Sequence, residues 1–218
     1  GSPREDIDWN NFTLRQRGRM LYMSSPVATS AINTNRTKVV GVGLTLKSSV
    51  DREVLGISPE AAKEWQRRTE AEFSLWARNK ANCDATGMNN FYGMQQLALV
   101  AWLQSGDVFP VFKRRNPTPV NPYSLRIHLV EADRVRTPAE YGGGTAVAHI
   151  TDGKNPENGN RIFDGVEVDN DSMVVAYYVH NTYPWQTTTE PTKWTRVEAY
   201  GPRTGLPNIL HIMGSERP

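Results

Sequence analysis

The sequence predicts an α+β protein, with N-terminal helices over about residues 12–104 packed on a mostly antiparallel, β-rich C-terminal half over about 107–213. Three observations carry this. Apolar residues recur at three- and four-residue steps over 58–78, and again over 90–104. From Asp107 onward, short runs of alternating apolar and β-branched residues are separated by clusters of Gly, Pro, Asn and Asp. Helices first and strands after is the order of an α+β plan, here a single domain.

The first quarter reads as two helices. Leu14, Arg15, Arg17, Met20 and Leu21 form a basic, partly apolar helix that Ser24-Ser25-Pro26 interrupts. Ser25 suits an N-cap and Pro26 the first helical position, since proline lacks only an N–H that would be unpaired there. Val27, Ala31, Ile32 and Thr34 follow at roughly helical spacing. Val39–Lys47 then changes to β-branched residues and glycines and predicts a strand, with Val40, Val42, Leu44 and Leu46 on one face. Over 58–78 Ser58 caps, Pro59 starts the helix, and Glu60 lies where the helix dipole favours an anion. Ala62, Trp65, Thr69, Phe73 and Trp76 make its apolar stripe, opposite Lys63, Glu64, Arg67, Arg68 and Glu70. The next helix places Phe91, Met94, Leu97, Ala98, Ala101 and Trp102 on one side, with Asn90 as cap and Gly106 as stop. The two helices are expected to meet each other, or one sheet, through their tryptophans.

In the second half Val108, Val111 and Phe112 lead to Lys113-Arg114-Arg115, and the proline-rich Asn116–Pro122 is a loop. Residues 125–131 alternate as a strand. The segment Pro138–Asn160, with Gly142-Gly143-Gly144, reads as a long mobile loop. Ile162–Val168 and Met173–His180 flank Asp169-Asn170-Asp171-Ser172 as a hairpin. A polar loop over 181–192 precedes two short strands, Trp194–Val197 and Ile209–Met213.

Bulk properties narrow the function. A chain of 218 residues can bury roughly 70% of its unfolded surface, yet its apolar fraction of 38% and mean hydropathy of −0.56 are low. Long loops or partner-facing surface follow. A net charge of +2 does not mark a dedicated nucleic-acid binder. A lone cysteine, Cys83, forms no internal disulfide, and no run approaches the roughly 18 apolar residues of a membrane span. The polar start lacks a signal peptide's apolar stretch, and Gly1-Ser2 fits a tag-cleavage remnant. The expectation is a soluble, intracellular protein.

Tests for chemistry return ordinary readings. His128, His149, His180 and His211 show no metal-ligand spacing, and Cys83, between Asn82 and Asp84, has no evident route to a thiolate. Asp169-Asn170-Asp171 lacks the glycine and glutamate of a calcium loop, with Val174 and His180 in those places, and suits a turn. Gly142-Gly143-Gly144-Thr145 lacks the Lys-Ser/Thr ending of a phosphate loop. No carboxylate pair stands out. Catalytic, cofactor and metal residues are therefore expected to be absent. Arg15, Arg17, Arg19, Lys113, Arg114 and Arg115 remain as candidate contacts to DNA or a partner, and a handful of charges gives only weak, salt-sensitive attachment. Trp65, Trp76 and Trp102 are expected in the core.

The order of short stretches is more specific than any motif. RMLYMSSPVA (19–28), VVGVGL (39–44), EAEFSLWA (70–77), CDA (83–85), NFYGMQQLA (90–98), SGDVF (105–109), LVEADRV (129–135), NRIFDGVEV (160–168), VAYYV (175–179), and ILHIM (209–213) with Glu216-Arg217-Pro218 follow one another. In this order the chain, over roughly 12–218, resembles the N-terminal portion of lambda-family tailed-phage portal proteins. The resemblance implies a structural, non-enzymatic head–tail connector subunit. It forms rings, commonly of twelve copies, at a capsid vertex, passes double-stranded DNA, and docks terminase, capsid and head-completion or tail proteins. It implies a place in the virion, in the host bacterial cytoplasm during assembly, and no membrane, cofactor or catalytic residue. Family members are about twice this length, so the chain is expected to be a fragment, natural or made, of the wing-like region, with the stem and clip outside it. The rival readings are a free-standing phage nucleic-acid-binding module, which would gather the basic residues on one surface, and a small hydrolase, which would gather titratable groups in one pocket.

Overall fold

In the computed structural model, described over residues 10–142, 152–184, 186, 189 and 191–214, the order of elements is α+β, with helices first and antiparallel strands after. The chain forms two compact units. One draws on Gly1–Asn33, Val100–Phe112 and Leu129–Pro218, the other on Thr34–Leu99 and Lys113–His128.

The first unit opens with helix α1 (Asn11–Ser24) and the start of α2 (Pro26–Val39). The break between them is the one the sequence announces: Ser25 Oγ accepts from the Ala28 N–H at 3.4 Å and Pro26 begins the new helix. The strands are β1 (Asp107–Arg114), β2 (Leu125–Glu131), β3 (Asp152–Lys154), β4 (Arg161–Phe163), β5 (Val166–Val168), β6 (Val174–His180), β7 (Trp194–Glu198) and β8 (Ile212–Met213). β1 lies between β2 and β8, antiparallel to β8, and β3 to β7 form an antiparallel meander in chain order. Phe109, Val111, Val130, Ala132, Val135, Tyr177, Ala199 and Ile209 make the unit's buried core.

Turn chemistry shapes the meander. Asp164 and Gly165 both have positive φ, 44° and 84°, as a tight two-residue hairpin turn requires. A Cβ on Gly165 would stand 2.4 Å from the Arg136 nitrogen, so only glycine fits. The stretch 162–168, expected as one strand, is therefore a hairpin of its own. Asp169 Oδ1 accepts from the Asp171 and Met173 N–H groups, both at 2.9 Å, which closes the next turn as expected. The expected loop over 138–160 also needs correction, since it contains a 3-10 turn at Ala139–Tyr141 and strand β3. Gly143, Gly144 and His149 lie outside the described residues.

The second unit holds α3 (Arg52–Leu55), α4 (Pro59–Arg78), α5 (Lys80–Cys83) and the first part of α6 (Phe91–Ser105). Ser58 caps α4, accepting from Ala61 at 3.2 Å, and Asn90 caps α6, accepting from Gly93 at 2.9 Å. Phe73, Trp76 and Phe91 pack ring on ring with centroids 5.2–5.6 Å apart, and the Trp76 indole donates to the Leu125 carbonyl at 3.0 Å. Trp65 departs from expectation: Ala62, one turn before it on α4's stripe, is buried, but this side chain is exposed. Trp102 is half-buried.

No strand forms over 39–47. α2 runs to Val39, a turn follows, and the chain then extends without a ladder partner. Side chains of the helices take the partner's place. Gln95 accepts from the Leu44 N–H at 2.7 Å and donates to its carbonyl at 3.1 Å. Gln96 donates to the Gly41 carbonyl at 2.7 Å, and Glu70 accepts from the Ser48 N–H at 2.9 Å. β-rich composition chose an extended backbone, and polar helix side chains satisfied part of it.

Candidate functional site

The sequence placed its basic candidates on one helix and one strand end, and the structure gives them different fates. At 100° per residue, Asn11, Arg15, Gly18, Arg19 and Tyr22 fall on one side of α1, and Leu14, Arg17, Met20, Leu21 and Met23 on the other. The polar side faces the protein. Arg15, buried, reaches Asp107 at 3.2 Å and Asp164 at 3.4 Å, and points its other amino group at the Ala132 carbonyl. One turn on, Arg19 pairs with the buried Asp133. Asn11 donates to Asp164 at 2.8 Å. Gly18 permits the approach, since a Cβ there would stand 2.4 Å from the Gln104 carbonyl.

His211 completes this junction. Its Nε2 lies 3.2 Å from Asp107 Oδ1, and its ring stacks on Phe109 at 4.4 Å. Asp107 and Asp164 respond oppositely to the same surroundings. Burial pushes the Asp107 carboxyl up, but the hydrogen bond from His211 and the charge of Arg15 outweigh it and hold it below the ordinary range. Burial dominates at Asp164; Arg15 and Asn11 offset only part of it, Asp107 and Asp133 add repulsion, and the carboxyl is pushed up.

A second buried carboxylate stands in the meander. Glu167, fully buried on β5, accepts from Asn158 at 2.7 Å, Asn160 at 2.9 Å, Tyr178 at 2.8 Å, Asn155 at 3.3 Å, and Arg196 twice. Burial alone would raise its pKa. The bonds from Arg196, Asn158, Asn160 and Tyr178 overcome it and hold the carboxyl at about 2. Tyr178, in turn, is pushed up by burial and by the carboxylate beside it.

The remaining candidates are dispersed. Arg17, Lys113, Arg114 and Arg115 are exposed, and Arg115 also donates to the Ala85 carbonyl at 3.1 Å. His128 lies half-buried in β2. His180 is buried in β6, its Nε2 bonded to the Arg136 carbonyl at 3.0 Å; burial and the neighbouring Arg136 lower its imidazole to about 4. Cys83 is buried, and burial together with Asp84 pushes its thiol up to about 11. Asp84 is committed to its own loop, accepting from Thr86, Met88 and Asn89. Among the described residues no group of three His, Cys, Asp or Glu could hold a metal ion, and no helix is long and apolar enough to cross a membrane.

Similarity to known proteins places the chain in a class of viral structural proteins, not of enzymes. Over residues 1–218 it matches the family model described as phage portal protein, lambda family, and it belongs to that family. It is also 28% identical over 173 residues to a protein described as "Probable portal protein" from Halomonas phage phiHAP-1, an isolate from the Gulf of Mexico. That match covers 79% of this chain and 29% of the relative, so the chain spans less than a third of the relative's length. The resemblance seen in the sequence now has a structural counterpart: SGDVF, LVEADRV and NRIFDGVEV supply Asp107, Asp133 and Asp164, which converge on Arg15 and Arg19.

Proposed function

We propose that these residues belong to a subunit of a ring, commonly of twelve copies, set at one vertex of a phage capsid. The ring is the passage for double-stranded DNA and the seat on which terminase, capsid and head-completion or tail proteins dock during packaging and ejection. Its place is the virion and, during assembly, the host bacterial cytoplasm. The residues correspond to the first part of the wing region, with stem and clip outside them. The observation that carries this reading is the family match along the whole chain. The Arg15–Asp107 and Glu167–Arg196 networks support it by spending buried charge on holding elements in register. Lys113, Arg114 and Arg115 are the exposed cations proposed to meet passing phosphate, few enough that a duplex still slides.

The test is electron microscopy of the product of the full gene. Closed rings with a central hole, twelvefold in end views, are the expected result. A monodisperse monomer at every concentration would overturn the reading.

A further inference from the structure

Helix α1 is amphipathic the wrong way round for a helix on a water-facing surface. Arg15, Arg19 and Asn11 point into the protein, while Leu14, Met20, Leu21 and Met23 point out with Arg17 and are 52%, 63%, 56% and 77% exposed. Single exposed aliphatics are ordinary, but four on the outward side of one short helix, interspersed with exposed Gln16, Arg17 and Ser24 and backed by inward arginines, are not. Together they leave on the order of 400 Å² of apolar surface, the size of the largest patch on a typical monomer, which often serves a contact, and about half of one partner's share in a standard interface.

We infer that the outer face of α1 is a docking surface for a second copy of this chain. The inference rests on the ring reading and names the surface that would join neighbours in it. Duplex DNA does not suit this face, because Arg17 is its single exposed cation while Arg15 and Arg19 face inward. A membrane surface does not suit it either, because the polar side of a surface-lying helix must meet headgroups and water, and here that side meets Asp107, Asp133 and Asp164. The same unit carries a second apolar set that gives a copy of the chain something to offer in return. Along 209–213 the residues alternate in one register against β1: Ile209 opposes Val111 and Ile212 opposes Val108. His211 therefore turns toward the α1 junction, and Leu210 and Ile212 turn to the other face, where they remain exposed. Two unlike apolar faces on one subunit are what a head-to-tail ring needs, since each subunit must present a different patch to each neighbour.

The experiment uses the full gene product with Met23→Cys carrying a benzophenone maleimide; Cys83, buried, does not compete for the label. Irradiation followed by denaturing electrophoresis and peptide mass spectrometry is read beside electron microscopy. Rings together with adducts of two or more chains support the inference. Rings whose adducts fall only within one chain, or on an added anionic vesicle, overturn it and leave the ring reading standing. Multichain adducts without rings keep the docking surface and overturn the ring. Neither rings nor multichain adducts overturns both. Independently, the unlabelled double substitution Leu21→Glu with Met23→Glu is expected to reduce ring particles at least tenfold with the unfolding midpoint of the subunit unchanged; an unchanged ring yield would contradict the inference.

Discussion

Arg196 grips the buried carboxylate of Glu167 side-on, its Nε donating to one oxygen at 2.8 Å and its Nη2 to the other at 3.0 Å. This joins β7 to β5 across β6, which pairs with both, and three asparagines and a tyrosine fill the acceptor sites that remain. The charge is tolerable in the interior only because every lone pair is occupied.

Glu167→Gln is therefore expected to destabilise the fold by about 2–4 kcal/mol, because the neutral amide gives up the charged bond and turns an NH₂ group toward donors. Urea unfolding followed by circular dichroism measures it. A loss below about 0.5 kcal/mol would show that the network contributes little.

Acid should weaken the protein in two stages. His180, lowered from 6.5 to about 4, resists protonation in the folded state, so its contribution is complete above about pH 6.5 and fades as pH falls toward 4. Glu167, lowered from 4.5 to about 2, contributes fully above about pH 4.5 and loses that contribution as pH falls toward 2, a span worth roughly 3 kcal/mol. Urea midpoints should begin to fall below about pH 6.5 and go on falling at a similar slope below about pH 4.5, since each group takes up one proton over a shift of the same size. His180→Gln should flatten the first stage and Glu167→Gln the second.

Asp107 and Asp164 share Arg15, yet neutralising them should give unequal results. Asp107→Asn removes a carboxyl that its partners favour as an anion, and should cost about 1–3 kcal/mol at pH 7. Asp164→Asn removes a charge that burial disfavours, keeps an acceptor for Asn11, and suits the positive φ of that position. It should be close to neutral or stabilising. Thermal midpoints of the two variants decide the matter, and the reverse order would refute the electrostatic account.

Duplex binding should be weak and steeply screened. If Lys113, Arg114 and Arg115 are the phosphate contacts, the slope of log affinity against log salt is about −2.7 at most, and replacing all three by alanine brings it near zero. Fluorescence anisotropy with labelled duplex at several salt concentrations reads the slope. A slope unchanged in the triple variant would remove these residues from the proposal.

Local rules made much of this fold legible. Ser58 and Pro59 start α4, Ser25-Pro26 splits α1 from α2, and Asp169 folds its turn, because each effect acts within about four residues. Asp164-Gly165 carried an equally local hairpin signal that the reading of 162–168 as one strand passed over. What stayed hidden depends on long-range partners. Gln95 lies 51 residues from Leu44, so composition alone could not tell a side-chain clamp from a strand ladder. Arg15 and Arg19 read as open phosphate contacts because their aspartates lie 92 and 114 residues away. Spacing held one clue: 15 and 19 share a helix face that 17 does not, so three arginines in five positions were never one patch.

The extended segment after α2 has a fate that a strand would not share. A ladder spreads its hold over many backbone bonds, whereas residues 41–48 hang on the amides of Gln95 and Gln96 and the carboxylate of Glu70. Loss of one such anchor frees several residues at once, so this stretch opens far below the free energy of global unfolding. With Lys47 exposed next to its last anchor, it is where trypsin is expected to nick an otherwise folded molecule.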